Sequence, residues 1–124
     1  MKNLAEKQQF VIQEHKTATG VHWDMMLENE GKLWTWRIEI HPSEIADEPV
    51  TAERIFDHSL RFLTYEGPVQ NNTASVAIVD KGSLCFRQTN DQKITFEFYG
   101  KILTGPYLLL LRKSPLWTLQ KDKT

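Results

Sequence analysis

The stretch "VHWDMMLENEGKLWTWRIEI", residues 21–40, decides the fold. Over 21–27 its side chains alternate. His22, Asp24 and Met26 share one face, and Val21, Trp23, Met25 and Leu27 share the other. A period of two marks an extended strand with one face in a core. Glu30-Gly31-Lys32 then reads as a hairpin turn into a second strand over 33–40.

The same reading extends outward in both directions. "FVIQEH" (10–15) is a short apolar-led strand, separated from the next by "TATG". "SVAIVDKGSLCFRQ" (75–88) reads as strand, Asp-Lys-Gly turn, strand. "QTNDQK" is a further turn, into "ITFEFYGKIL". "TGPYLLLLRK" follows Gly-Pro punctuation as a buried strand, and "LWTLQKD" comes last. "HPSEIADEPVTAERIFDH" (41–58) is the irregular part: Ser43 is placed to cap a short helical turn, and Pro49 prevents a long one. Many short strands joined by tight turns predict a mainly all-β fold. The expected form is a closed six- to eight-stranded β-barrel with one or two short helical turns, as a single domain over 1–124.

Composition sets limits on function. The chain has 124 residues, 40% hydrophobic and 25% charged, with 15 Lys+Arg against 16 Asp+Glu. That is an ordinary globular profile for one domain. A net charge of −1 provides no global attraction to a polyanion, so any such partner needs a local patch. Cys85 is the single cysteine, which excludes an intrachain disulfide framework and reads as a buried structural thiol. No apolar run reaches ~18 residues, so no membrane partner is expected. "MKNLAEKQQF" has no signal-peptide core, and the expected location is the cytoplasm.

The candidate chemistry begins in "EHKTATGVHWDMMLE" (14–28). Imidazole nitrogen and carboxylate oxygen suit divalent Mn, Fe, Co or Zn. His22 and Asp24, two apart on a strand, can converge on one ion above their shared face. If 10–15 and 21–27 form a hairpin, His15 comes opposite the pair. Two histidines and a carboxylate leave coordination positions for water or a substrate oxygen. The alternative is a set of polar, solvent-facing side chains on a half-buried strand.

Distant residues extend the pattern: Phe10-Val-Ile-Gln-x-His15, His22-Trp-Asp24-x-x-Leu-Glu28, Gly31-x-Leu-x-x-Trp36, Pro42-Ser43, Arg54-x-x-Asp57-His58-x-Leu60, Glu66-Gly67, Asp80-x-Gly82, Gly100-x-x-Leu103-x-Gly105 and Trp117. This resembles the 3′-phosphoesterase domain at the N-terminus of bacterial DNA ligase D proteins, which also occurs as a stand-alone protein. The resemblance runs from about Phe10 to Lys121. It implies a β-barrel enzyme, usually manganese-dependent, that trims nucleic-acid 3′ ends in repair by removing a terminal ribonucleoside and then the 3′-phosphate. It implies metal ligation by His15, His22 and Asp24, and a phosphate contact by His58 that activity requires. Arg54 and Glu28 match further residues of the family's site. A DNA ligase or polymerase acting in trans is the implied protein partner; this chain carries no lysine-centred nucleotidyl-transfer signature of its own.

The sequence departs from the family at the phosphate-gripping positions. Met26 stands where an arginine is expected, Phe62 where a tyrosine is, Val50 where a second arginine is, and Ile40 where a lysine is. The glycine-rich loop is shortened to "PVQNNTAS". A thioether offers neither the charge nor the paired donors of a guanidinium. Arg54, Arg37, Lys16 and Arg61 are candidate replacement cations, and Tyr65 a candidate hydroxyl donor. His41 is a candidate further ligand, and Trp23, Trp34, Trp36 and Trp117 are candidates for base stacking or core packing. Two functions follow as expectations: a metal-dependent 3′-end phosphoesterase with His58, His22 and Asp24 catalytic, or a metal-containing module that binds phosphate ends or a repair partner without turnover.

Overall fold

The computed structural model describes residues 7–123; the reading of the N-terminus falls partly on 1–6, outside them. Nine strands run antiparallel: β1 Lys7–Thr17, β2 Gly20–Asn29, β3 Lys32–Ile38, β4 Val50–His58, β5 Gly67–Val69, β6 Ala74–Thr89, β7 Lys93–Tyr99, β8 Thr104–Lys113 and β9 Leu116–Lys121. They pair in the order β1-β2-β3-β4-β9-β8-β7-β6, and β6 returns to β1. Eight strands therefore close a barrel, while β5 adds to β6 outside the ring. Among the described residues the helical content is two 3₁₀ turns, Pro42–Glu44 and Leu60–Leu63.

The quoted stretch folds as read. Asn29 pairs with Lys32, leaving a two-residue turn whose Glu30 and Gly31 have φ of 53° and 83°. Positive φ at both central positions is the turn whose twist matches its strands, and Gly31 adopts it without a Cβ clash. From this turn the alternation sorts residues into two layers. Phe10, Ile12, Met25, Leu27, Trp36 and Ile38 fill the barrel with residues from the other strands. Val11, Met26 and Leu33 point outward and form a smaller cluster with Phe62, Leu63 and Ile78. The Leu60–Leu63 turn thus lies over the outer face of β1–β3.

Five expectations are corrected. Residues 75–88 are not strand-turn-strand but part of one 16-residue strand, β6. Asp80 does not turn the chain there: its carboxylate accepts from the backbone N–H groups of Lys81, Lys101, Ile102 and Leu103, tying the β7–β8 connection to β6. Gly82 is needed because a Cβ there would lie 2.2 Å from the Tyr99 carbonyl oxygen. The irregular segment 41–58 hides β4, and its 3₁₀ turn is capped by His41, whose Nδ1 accepts from Ser43 N–H at 3.1 Å, rather than by Ser43. "YLLLL" alternates: Tyr107 and Leu109 are buried, while Leu108, Leu110 and Leu111 are half-buried. Cys85 is half-buried on β6 rather than enclosed. Among the described residues no helix is long and apolar enough to cross a membrane.

Candidate metal and anion site

Two hairpin registers assemble the site on the outer face of the sheet. The Thr17–Gly20 pairing sets His15 directly opposite His22, and Gln13 opposite Asp24. The turn at Glu30-Gly31 sets Asp24 opposite Arg37. Paired residues share a face, so these side chains stand together. His15 Nδ1 lies 3.5 Å from Asp24 Oδ2, and His22 Nε2 lies 3.3 Å from Asp24 Oδ1. The ligand atoms of all three lie within 4.8 Å of one another.

The side chains of His15, His22 and Asp24 are 11%, 12% and 5% exposed. Both ring nitrogens of His15, Nε2 of His22 and Oδ1 of Asp24 are buried without a hydrogen-bond partner. Buried polar atoms left unpaired are costly, and so many converging in one place fit a divalent cation that takes nitrogen and oxygen ligands. Burial also pushes the His22 imidazole below its ordinary pKa, against the pull of Asp24, with Arg37 and His15 lowering it further. The neutral ring that results is the form that binds a metal.

His58 reaches the same face through an irregularity in β4. Thr35 pairs with Ile55 and Leu33 with His58, so three residues on β4 span two on β3. Strict alternation would turn His58 to the opposite face from Ile55; the extra residue restores it. Its Nδ1 lies 3.1 Å from both the Phe56 carbonyl and Thr35 Oγ1. The Thr35 hydroxyl donates to the Leu33 carbonyl, and a carbonyl can only accept. Nδ1 therefore carries the proton, leaving Nε2 with the lone pair or a second, transferable proton.

A pocket of about 300 Å³ opens here, lined by His15, Asp24, Arg37, His58, Phe62 and neighbours from β4 to β6. Gln13 holds its cover in place: its amide, on a side chain 1% exposed, donates to the carbonyls of Phe62 and Tyr65. Its place in the Phe-Val-Ile-Gln-x-His run was the signal for that role. Glu66 supports the same cover, accepting from Ile78 N–H where β6 bulges against β1.

The other sequence-derived candidates fall elsewhere. Arg54 lies on the core-facing side of β4, with its guanidinium 4.5 Å from the Trp36 ring and 3.0 Å from Asp57. The Glu28 carboxylate accepts from Gln9 N–H and fastens β1 to β2. Lys16 pairs with Glu14, Arg61 lies over the Phe62 and Tyr65 rings, and the Tyr65 hydroxyl donates to the Pro68 carbonyl. His41 meets Trp23 edge-on and serves the Pro42–Glu44 turn. Trp36 and Trp117 pack edge to face in the barrel. Met26 is 1% exposed within the outer apolar cluster, and Phe62 stands edge-on to His58.

Multifunctional non-homologous end joining proteins named LigD from Mycobacterium bovis and Mycobacterium tuberculosis are 28% identical over 121 residues, 92% of this chain and 16% of theirs. The LigD protein of Mycolicibacterium smegmatis is 27% identical over 128 residues, 92% of this chain and 17% of its own. The chain thus spans about one sixth of these relatives. Residues 13–111 match the family described as the DNA Ligase D 3′-phosphoesterase domain, and the chain belongs to that family.

Proposed function

We propose that the protein is a divalent-metal-dependent phosphoesterase that processes nucleic-acid 3′ ends in non-homologous end-joining repair. The observation that carries this is the set of unpartnered, buried ligand atoms on His15, His22 and Asp24, of which His15 and Asp24 line a pocket with His58. The matched family and the end-joining relatives support the substrate class. His15, His22 and Asp24 would hold the metal, with Mn²⁺ the proposed ion. When bound, it would polarise a phosphoryl oxygen, offset developing negative charge and make a bound water more acidic.

The chain's own groups do the rest. Asp24 is the one carboxylate in the cluster and lies within 3.5 Å of one histidine and 3.3 Å of the other. His58, fixed by its Nδ1 partners, presents Nε2 for a hydrogen bond to phosphate or for proton transfer to the leaving oxygen. Phe62 and the Leu60–Leu63 turn restrict water on one side of the pocket. The proposal includes a cytoplasmic setting and a ligase or polymerase that uses the trimmed end in trans.

Incubating the Mn²⁺-loaded protein with a primer ending in one ribonucleotide tests this. The expected result is loss of the terminal nucleoside and then of the 3′-phosphate. No shortening by folded protein carrying any of several divalent metals would refute it. A second reading is favoured by Met26, which is buried among apolar groups, and by Phe62, which lacks a hydroxyl: a module that binds phosphate ends without turnover. Metal-dependent binding of 3′-phosphorylated DNA without cleavage would select that reading.

A further inference from the structure

The geometry points to Arg37 as the residue that grips the phosphate in this chain, in place of the arginine absent at position 26. The inference rests on the 3′-end reading above. Met26 and Arg37 lie on neighbouring strands of the same outer face, with Thr35 opposite Met26 and Arg37 opposite Asp24. Met26 is enclosed by Val11, Leu33, Phe62 and Leu63, so position 26 contributes packing and no charge. Arg37 instead lines the pocket with His15, Asp24 and His58.

Carboxylates flank it without pairing to it: Asp24 stands opposite on β2 and Glu53 opposite on β4. No carboxylate lies within ion-pair distance of Arg37 among the described residues, and its Nε is buried without an acceptor. A half-buried guanidinium with an idle donor is complementary to a planar or tetrahedral oxyanion that accepts from two N–H groups at once. A divalent ion held by His15, His22 and Asp24 would add positive charge beside Arg37. A phosphate accepting from the guanidinium would offset it. The other cations considered, Arg54, Arg61 and Lys16, are engaged with Asp57, aromatic rings and Glu14.

Inorganic phosphate titrated calorimetrically into Mn²⁺-loaded wild type, Arg37→Lys and Arg37→Gln tests this without relying on turnover. Metal affinity of each variant is measured separately. The expected result is a loss of at least ~10-fold in phosphate affinity for Arg37→Gln, a smaller loss for Arg37→Lys and unchanged Mn²⁺ affinity. Equal phosphate affinity in wild type and Arg37→Gln overturns the assignment, as does a phosphate loss matched by an equal metal loss. Primer trimming by Arg37→Gln at the wild-type rate would sink Arg37 while leaving the 3′-end function standing. A wild type that neither binds phosphate nor trims primer removes both.

A separate observation concerns Phe56, from which we infer a nucleobase platform at the pocket rim. Phe56 is 76% exposed, the most exposed of the large apolar side chains among the described residues. Its ring lies parallel to His58, with centroids 4.8 Å apart and planes at 6°. One face is thus fixed against a site residue and the other is open to solvent. A flat aromatic beside an anion pocket suits stacking of the terminal base while the phosphate enters. Phe56→Ala is expected to weaken binding of a 3′-phosphorylated dinucleotide ~5- to 100-fold and leave inorganic phosphate affinity unchanged. Unchanged dinucleotide affinity, or an equal loss for both ligands, would overturn it.

Discussion

At the scale of single residues, the two histidines and the carboxylate divide the work by chemistry. Asp24 is the only anionic member of the proposed ligand set, so Asp24→Asn should lower Mn²⁺ affinity by roughly 10- to 100-fold, the loss of one charge-assisted contact. Isothermal titration measures this, and an unchanged affinity would place the ion elsewhere. His22 adds a pH signature. Burial depresses its pKa below 6.5, so the folded state favours the neutral ring. Its contribution to stability is present above the unfolded value and is lost as pH falls through the lower, folded one. Metal-free protein should therefore melt at progressively lower temperature as pH falls below about 6.5. His22→Gln should flatten that profile, and identical slopes would exclude His22 as its source. The His15, His22 and Asp24 cluster was legible in the sequence because strand period and one hairpin place it. Arg37 was legible only in part. A two-residue turn at Glu30-Gly31 already implies that Asp24, five residues before Asn29, faces Arg37, five after Lys32. What the sequence lacked was evidence that Arg54, the better motif match, turns to the barrel side.

At the scale of elements, features that break regular patterns carry the function and also hide it from a reader of the sequence. β4 was missed because its extra residue spoils the alternation that reveals a strand, yet that residue brings His58 to the site face. Asp80-Lys81-Gly82 has turn composition, which disguises β6 as two strands. The carboxylate instead collects four backbone N–H groups, a role that periodicity cannot show. Asp80→Asn keeps one acceptor oxygen and turns an NH₂ toward former donors. It should cost about 3 kcal/mol, from hydrogen bonds to a charged group lost and buried N–H groups left unpaired. Chemical denaturation should show this, and a change under ~0.5 kcal/mol would contradict the role. Gln13 gives a sharper test of the pocket cover. Gln13→Glu replaces two donated hydrogen bonds with a carboxylate facing two carbonyls. Amide exchange in 60–65 should quicken and phosphate binding weaken while the barrel strands keep their protection.

At the scale of the whole molecule, the barrel is a rigid frame that keeps charge local. Closure leaves no open edge among the eight ring strands, and aromatic and aliphatic side chains pack in the interior. The site is consequently an outer-face device, and its ligands act on the global equilibrium by linkage. Mn²⁺ at one hundred times its dissociation constant should add about 2.7 kcal/mol to the folded state and raise the melting temperature by about 10 °C. A chelator should reverse this. Charge distribution sets how nucleic acid is met. A net charge of −1 gives the chain no global attraction to duplex phosphates. Arg37 and the bound ion would provide one or two phosphate contacts at the end being processed. Each displaced counterion contributes about −0.9 to the slope of log affinity against log salt. Binding of a 3′-phosphorylated end should therefore show a slope no steeper than about −2, and binding of a blunt duplex without the phosphate should be far weaker. Fluorescence anisotropy across a salt series measures both. A steep slope shared by the two ligands would mean that the protein tracks along the duplex and that recognition does not begin at the terminal phosphate.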